Sequence, residues 1–120
     1  MSQVQRKVVL CNISIPDLGG GTAVTPAVQI PNGATKVTVQ FMYTEIDAPV
    51  GCILYQSLDG ANFDECQTID ETQIRIELDI DSVSMTLNVS DLLTSWIRFL
   101  IESGDAQTGT LEKFIILFGN

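Results

Sequence analysis

The sequence predicts an all-β fold: an antiparallel, jelly-roll-like β-sandwich of about eight strands. Apolar and polar residues alternate with a period of two in at least four segments, which is the pattern of half-buried strands. Turn-forming residues separate these segments about every ten residues. The gaps are too short for the helical crossovers that parallel strands need, so we expect antiparallel pairing.

The alternating segments come in order along the chain and define a candidate core. Their apolar positions are Val37, Val39, Phe41 and Tyr43, then Ile74, Ile76, Leu78 and Ile80, then Val83, Met85, Leu87 and Val89, and finally Ile97, Phe99 and Ile101. Successive side chains of a strand point to opposite faces, so each set should share one face. We expect the core to contain Val37, Val39, Phe41, Ile74, Ile76, Leu78, Met85, Leu87, Ile97 and Phe99.

The connections are rich in glycine, proline and aspartate, the residues that turns favour. They lie at residues 16–21, 31–33, 48–51, 58–60 and 103–109. Residues 90–93 form the one segment that resembles a short helical turn, with Ser90 as a possible cap. The sequence shows no repeat or linker, and a length of 120 residues suits one domain over residues 1–120.

Leu58-Asp59-Gly60 predicts a three-residue hairpin loop in which Gly60 has a positive φ angle. In that register Cys52 lies opposite Cys66. The two cysteines could then form a disulfide, or they could be reduced, buried thiols. We favour the thiols, because the chain has three cysteines, an odd number, and is expected in a reducing compartment.

The net charge is −9, from 15 acidic and 6 basic residues. This balance disfavours binding to nucleic acid or to an anionic membrane, because both attract basic proteins. The sequence contains no basic start followed by an apolar stretch and a cleavage site, and no run near the ~20 apolar residues of a membrane span. We therefore expect a protein made and used in a cytoplasm, or released from one by lysis.

The sequence contains no histidine, which excludes the nucleophile–histidine pairs and histidine metal ligands of many enzymes. Three scattered cysteines do not make a zinc site, and no glycine-rich phosphate loop opens a helix. We predict no catalytic residue, no cofactor and no bound metal.

Three groups of residues could still carry a site, and an ordinary structural role is the favoured interpretation of each. Asp79 and Asp81 could be the paired acids of a glycosidase, but both lie at a predicted strand end or turn, where aspartate is favoured. A calcium ion could bind Asp59, Asn62 and Asp64 at the hairpin tip. The aromatic residues that could stack on a sugar are Tyr55, Phe63, Tyr43 and Trp96, of which Tyr55 faces Phe63 in the predicted register.

The C-terminal segment departs from the alternation, because residues 114–118 are all apolar. Such a strand needs burial on both faces. One face, either Phe114, Ile116 and Phe118 or Ile115 and Leu117, should pack in the core. The other should meet a partner subunit or, alternatively, the loop at residues 16–21.

Three motifs together resemble the small β-sandwich accessory proteins of tailed bacteriophage virions, such as head decoration, auxiliary capsid and fibre-base proteins. The motifs are Ala27-Val28-Gln29-Ile30-Pro31-Asn32-Gly33-Ala34 before an alternating strand, Gln56-Ser57-Leu58-Asp59-Gly60-Ala61-Asn62-Phe63, and Trp96-Ile97-Arg98-Phe99 followed by Thr108-Gly109-Thr110. The second and third motifs also resemble discoidin-like, galactose-binding modules, in which a Trp usually stands where this chain has Phe63.

The first resemblance implies a non-enzymatic structural protein located in a virion. Its partners would be other virion proteins, either the major capsid protein or fibre components, and further copies of the same chain. The second resemblance implies an alternative function as a carbohydrate-binding module.

Overall fold

The computed structural model describes residues 5–67 and 73–120, which form ten β-strands and one short helix. The strands are β1 (Gln5–Ser14), β2 (Thr22–Val24), β3 (Val28–Gln29), β4 (Lys36–Thr44), β5 (Val50–Ser57), β6 (Asp64–Glu65), β7 (Arg75–Leu78), β8 (Ser84–Val89), β9 (Trp96–Glu102) and β10 (Thr110–Gly119). The helix is α1 (Ile15–Leu18). Apart from this single turn of helix, the described chain is β-structure and loops, as predicted.

Two antiparallel sheets pack as a sandwich, which confirms the predicted fold class. Sheet A has the order β1-β10-β4-β8, and sheet B contains β2 and β3 beside β9, then β5, then β6 and β7. Because β2 and β3 both pair with β9, and β6 and β7 both pair with β5, the ten strands occupy eight positions. Counted along the chain, the first position pairs with the eighth, the second with the seventh, the third with the sixth and the fourth with the fifth. This is the pairing of one long hairpin that is rolled into a jelly roll.

The core lies between the sheets and is built on the alternating positions. Three aromatic rings from both sheets meet edge to face: the Phe41 ring centroid lies 5.2 Å from that of Phe99 and 4.6 Å from that of Phe114. All ten predicted core residues belong to this core or pack against it. Ile76, Met85 and Leu87 are partly exposed because they lie on strands at the sheet edges, and Ile74, which is also partly exposed, directly precedes the edge strand β7.

Two local predictions are wrong. Residues 90–93 do not form a helical turn: Asp91 has a φ angle of 58°, and the amide of Leu92 donates to the carbonyl of Thr35 at 2.7 Å. Ile80 lies beyond the end of β7, in an exposed turn. Alternation was expected to continue through Ile80, but Asp79 starts a turn because its carboxylate accepts a hydrogen bond from the amide of Asp81.

The register of the β5–β6 hairpin also differs from the prediction by two residues. Tyr55 pairs with Glu65 rather than with Phe63, and the amide of Cys66 donates to the carbonyl of Leu54. Cys52 instead faces Ile76 and Ile101. The proposed Cys52–Cys66 pairing is therefore wrong, and both residues are buried free thiols. Burial raises the pKa of each thiol, which keeps both in the unreactive protonated form.

Gly60 has a φ angle of 79°, which confirms the predicted left-handed conformation. A Cβ atom at this position would lie 3.0 Å from the indole nitrogen of Trp96. Gly60→Val is therefore expected to lower the free energy of unfolding by roughly 2–3 kcal/mol, because backbone strain and crowding add. Gly19→Val is the control, since Gly19 also has a positive φ angle but has open space around it. Urea denaturation showing equal losses in the two variants would contradict the role of Trp96.

Candidate interaction surface

The outer face of sheet A combines apolar and basic side chains. The strand register places them in rows: Arg6 beside Leu117, Val8 beside Ile115, and Leu10 beside Lys113. Directly opposed residues of an antiparallel pair project to the same side of the sheet. We call these six residues the β1–β10 face.

Three of the four apolar residues of this face are exposed, and the fourth, Ile115, is half-buried. Leu10 is 66% exposed, Val8 54% and Leu117 42%. Scattered apolar residues are common on protein surfaces, but a contiguous group marks an interaction site more often. The face is therefore a candidate contact surface.

The neighbouring part of the same sheet surface is mostly uncharged and polar. It consists of Thr38, Gln40 and Met42 on β4 and Ser84, Thr86 and Asn88 on β8. The hydroxyl of Thr38 donates to the side-chain oxygen of Asn88 at 2.7 Å, which links the two strands. The apolar group is thus confined to the β1–β10 half of the sheet.

The two faces of strand β10 have different environments, although residues 114–118 are apolar on both faces. Phe114, Ile116 and Phe118 are buried in the core, whereas Ile115 and Leu117 point outward on the β1–β10 face. The loop at residues 16–21 lies elsewhere, because Ile15 donates to the carbonyl of Gly109 and Ser103 donates to the carbonyl of Gly21. That loop therefore closes one end of the sandwich and does not cover the outer face of β10.

The charged residues of the β1–β10 face are basic, whereas the protein as a whole is acidic. Arg6 and Lys113 lie on it, and Lys36 projects from the start of β4 on the same side of the sheet. None of the paired outward positions described for sheet A holds an acidic residue. Glu112 is the nearest acid in sequence, and it occupies a bulge between Leu111 and Lys113. The face is therefore positive in a protein with a net charge of −9.

The loops at one end of the sandwich carry the opposite charge. The Asp47 carboxylate accepts hydrogen bonds from the amides of Gln107 at 2.7 Å and Thr108 at 3.1 Å, which lower the pKa of Asp47. These contacts join the β4–β5 loop to the β9–β10 loop. The acidic residues at this end, in the loops and in the short helix α1, are Asp17, Glu45, Asp47, Asp79, Asp81 and Asp105.

The structure places Asp79 and Asp81 in the turn between β7 and β8, not along a strand. The Asp79 carboxylate accepts a hydrogen bond from the amide of Asp81 at 3.1 Å, and the Asp79 carbonyl accepts one from the hydroxyl of Tyr43 at 2.7 Å. The Asp79 carboxylate thus shapes the turn, which agrees with the ordinary interpretation of this pair.

The residues of the possible calcium site are near one another but are already hydrogen-bonded. One oxygen of the Asp59 carboxylate accepts from the amides of Ala61 and Asn62 and from the hydroxyl of Ser57, all at 2.9 Å. The other oxygen accepts from the side-chain amide of Asn62 at 2.8 Å. Among residues 5–67 and 73–120, no cluster of three or more acidic or cysteine side chains could hold a metal ion. This capped loop is longer than three residues, which explains the shifted hairpin register.

The same hydrogen bonds predict a pH dependence. The backbone amides of Asn62 and Ala61 hold the pKa of Asp59 well below its usual range of about 4. The carboxylate therefore stabilises the hairpin above about pH 4, and this contribution is lost as the pH falls from about 4 toward the folded-state pKa. Asp59→Asn should be less stable than wild type at pH 7, with a smaller difference at pH 3, as measured by urea denaturation.

The control for that experiment is Asp105→Asn, which removes one negative charge from a different exposed loop. A difference between wild type and Asp59→Asn that stays constant from pH 7 to pH 3 would contradict the assignment to the Asp59 carboxylate.

The aromatic residues proposed for sugar stacking are divided between two environments. Tyr43 is buried in the core. Tyr55 and Trp96 lie on the outer face of sheet B, with Arg98 directly opposite Tyr55. The guanidinium carbon of Arg98 lies 4.1 Å from the ring centroid of Phe63, a cation–π contact. One face of the Phe63 ring is therefore covered, which does not favour a sugar-stacking platform.

The sequence indicates that β10 is apolar on both faces, but it does not indicate that Val8 and Leu10 of β1 lie beside the outer face of β10. The segment Val8-Val9-Leu10 has no alternation, and its pairing with residues 113–115 joins parts of the chain that are about a hundred residues apart. Ile80 and Val83 were also expected to continue alternating strands, yet both are exposed.

No protein-family model matches the chain, and no curated protein is similar to it in sequence. Among solved structures, it is similar to the SPBc2 prophage-derived protein YomS, with a TM-score of 0.58 and 5% identity over 100% of this chain and 96% of that protein. It is also similar to the infectious bursal disease virus VP2 subviral particle, with a TM-score of 0.55 and 12% identity over 98% of this chain.

The chain spans nearly the whole of YomS but only 32% of the length of the virus chain. At these identities the likeness shows a shared fold. The resemblance to small β-sandwich proteins of phages is thus confirmed at the level of the fold. The resemblance to discoidin-like modules stays a prediction.

Proposed function

We propose that this chain is a non-enzymatic structural protein of a bacteriophage virion that acts through protein–protein contacts. It would serve as an auxiliary or decoration protein of the capsid, or as a fibre-associated protein. The fold shared with a prophage-derived protein and with a protein of a subviral particle supports this proposal. Its expected partners are the major capsid protein or fibre components, together with further copies of itself.

The observation that carries the proposal is the β1–β10 face. A rigid sandwich presents Val8, Leu10 and Leu117 to solvent in neighbouring rows, although β10 buries its other side completely in the core. Fully burying a side chain of this size contributes about 1.5–3 kcal/mol, so the face can drive association.

Other features agree with a structural role and with location in a virion. The sequence lacks histidine, the residue that most often acts in acid–base catalysis. The acidic net charge disfavours nucleic acid as a partner. Within the described residues, no helix has the length and apolar character needed to cross a membrane.

The direct test is to purify particles of the phage that encodes this chain and to identify their proteins by mass spectrometry. We expect the chain at a fixed ratio to the major capsid protein or to a fibre component. Its absence from purified particles would overturn the proposal.

A double variant tests the contact face. Ile115→Thr with Leu117→Ser should leave the circular dichroism spectrum and the melting temperature nearly unchanged, because both side chains point outward. Incorporation into particles should fall about tenfold or more, since a loss of about 1.4 kcal/mol is tenfold in an equilibrium constant. Leu93→Ser, at an exposed leucine away from this face, is the control. Normal incorporation of the double variant would move the interface elsewhere.

A further inference from the structure

We propose that copies of this chain associate head to tail, with the β7–β8 turn of one copy docked on the β1–β10 face of the next. The β7–β8 turn comprises residues 79–83. This inference builds on the proposed function, because it names a second copy of the chain as the partner of that face.

The β7–β8 turn presents apolar side chains to solvent in a fixed conformation. Val83 is 64% exposed and Ile80 48%, although both continue the alternation of neighbouring strands. The hydroxyl of Ser82 donates to the carbonyl of Ser84 at 2.7 Å, and the Tyr43 hydroxyl holds the carbonyl of Asp79. A turn held in this way loses little conformational entropy on binding, which favours its use as a contact.

The charges on the two surfaces are complementary. Asp79 and Asp81 flank Ile80 in the turn, whereas Arg6 and Lys113 flank the exposed apolar residues of the β1–β10 face. The other acidic loops at the same end of the sandwich strengthen the negative potential around the turn. Docking would therefore bury apolar groups against each other and place carboxylates beside cations.

The same charges argue against a symmetric dimer. Two β1–β10 faces brought together would oppose Arg6 and Lys113 of one copy to the same cations of the other. Two β7–β8 turns would oppose their carboxylates in the same way. Like charges brought together at an interface are costly. A contact between two different surfaces avoids this, and it leaves each copy with one free face and one free turn, so that assembly continues into rings or filaments.

The turn and the face belong to opposite edges of sheet A, and the rigid sheet holds them apart, so a molecule cannot dock its own turn on its own face. The β7–β8 turn leads into β8, which is one edge of sheet A, and β1 is the opposite edge.

The test uses the purified chain and two variants, each with one damaged surface. The face variant is Arg6→Glu with Leu10→Ser, and the turn variant is Asp81→Lys with Val83→Ser. All four side chains are exposed, so both variants should fold. Lys7→Glu with Leu58→Ser is the matched control, because it makes the same changes at the inward-pointing side of β1 and at the hairpin tip. Sedimentation velocity measures association at low salt and in 1 M salt.

We expect the wild type and the control to form oligomers at low salt, and we expect 1 M salt to weaken them, because the Debye length then falls to about 3 Å. Each variant alone should be monomeric. An equal mixture of the two variants should form a 1:1 dimer, because each supplies the surface that the other lacks.

Three results would overturn the inference: a wild type that stays monomeric at millimolar concentration, a control as impaired as the face variant, or a mixture that stays monomeric. A single variant that associates like the wild type would also overturn it, because its intact surface would then be pairing with itself in a symmetric contact. None of these outcomes bears on whether the chain is found in purified particles, so failure here is distinguishable from failure of the proposed virion role.

Discussion

Phe99→Ala is expected to lower the free energy of unfolding by roughly 3–5 kcal/mol. Phe99 is 1% exposed, and its ring centroid lies 5.2 Å from that of Phe41 and 5.5 Å from that of Phe114, both edge to face. These three rings join β9 of sheet B to β4 and β10 of sheet A. Truncation would remove aromatic contacts between the sheets and leave a cavity that the rigid strands cannot close.

Urea denaturation followed by circular dichroism measures the loss, and Leu87→Ala provides the comparison. Leu87 also faces the core, but it lies on the edge strand β8 and is partly exposed. Its truncation should cost less, about 1–2 kcal/mol, because part of the side chain is already in contact with water. An equal loss in the two variants would show that the aromatic cluster is not the centre of the core.

Gly109→Ala is expected to cost roughly 2–5 kcal/mol, since it combines an unfavourable backbone conformation with overpacking. Gly109 has a φ angle of 109°, which L-residues rarely adopt. A Cβ atom there would lie 2.7 Å from the carbonyl oxygen of Thr44 and 2.9 Å from the Cα atom of Ile46. Backbone atoms cannot move aside as the end of a flexible side chain can, so the strand ends would have to separate.

The matched control is Gly104→Ala in the same β9–β10 loop. Gly104 also has a positive φ angle, 56°, but the nearest atom to its Cβ position is the carbonyl oxygen of Pro49 at 3.8 Å. We expect a loss of about 1 kcal/mol at Gly104, which is the cost of the left-handed backbone alone. Melting temperatures that fall equally in both variants would contradict the close approach at Gly109.

The β1–β10 face shows which features local sequence patterns can predict and which they cannot. The run of apolar residues at 114–118 correctly indicated that β10 has one face in the core, and that its other face meets a second contact stays a prediction. The chemistry of that contact could not be predicted, because Arg6, Val8 and Leu10 reach the face only through the pairing of β1 with β10. The β7–β8 turn could not be predicted for a related reason. Ile80 and Val83 fit a period of two, although β7 ends before Ile80 and β8 begins after Val83.

The sequence was sufficient to predict the alternating strands β4, β7, β8 and β9, their inward faces and the sandwich, because a period of two depends on neighbouring residues alone. The β5–β6 register could not be predicted from the sequence. Four hydrogen bonds to the Asp59 carboxylate stabilise a loop that is longer than the three-residue loop that Leu58-Asp59-Gly60 predicts. The order of strands in each sheet could not be predicted from the sequence either. Residue pairs such as Val8 and Ile115 meet because the whole chain rolls up as one hairpin, and that closure depends on all strands at once.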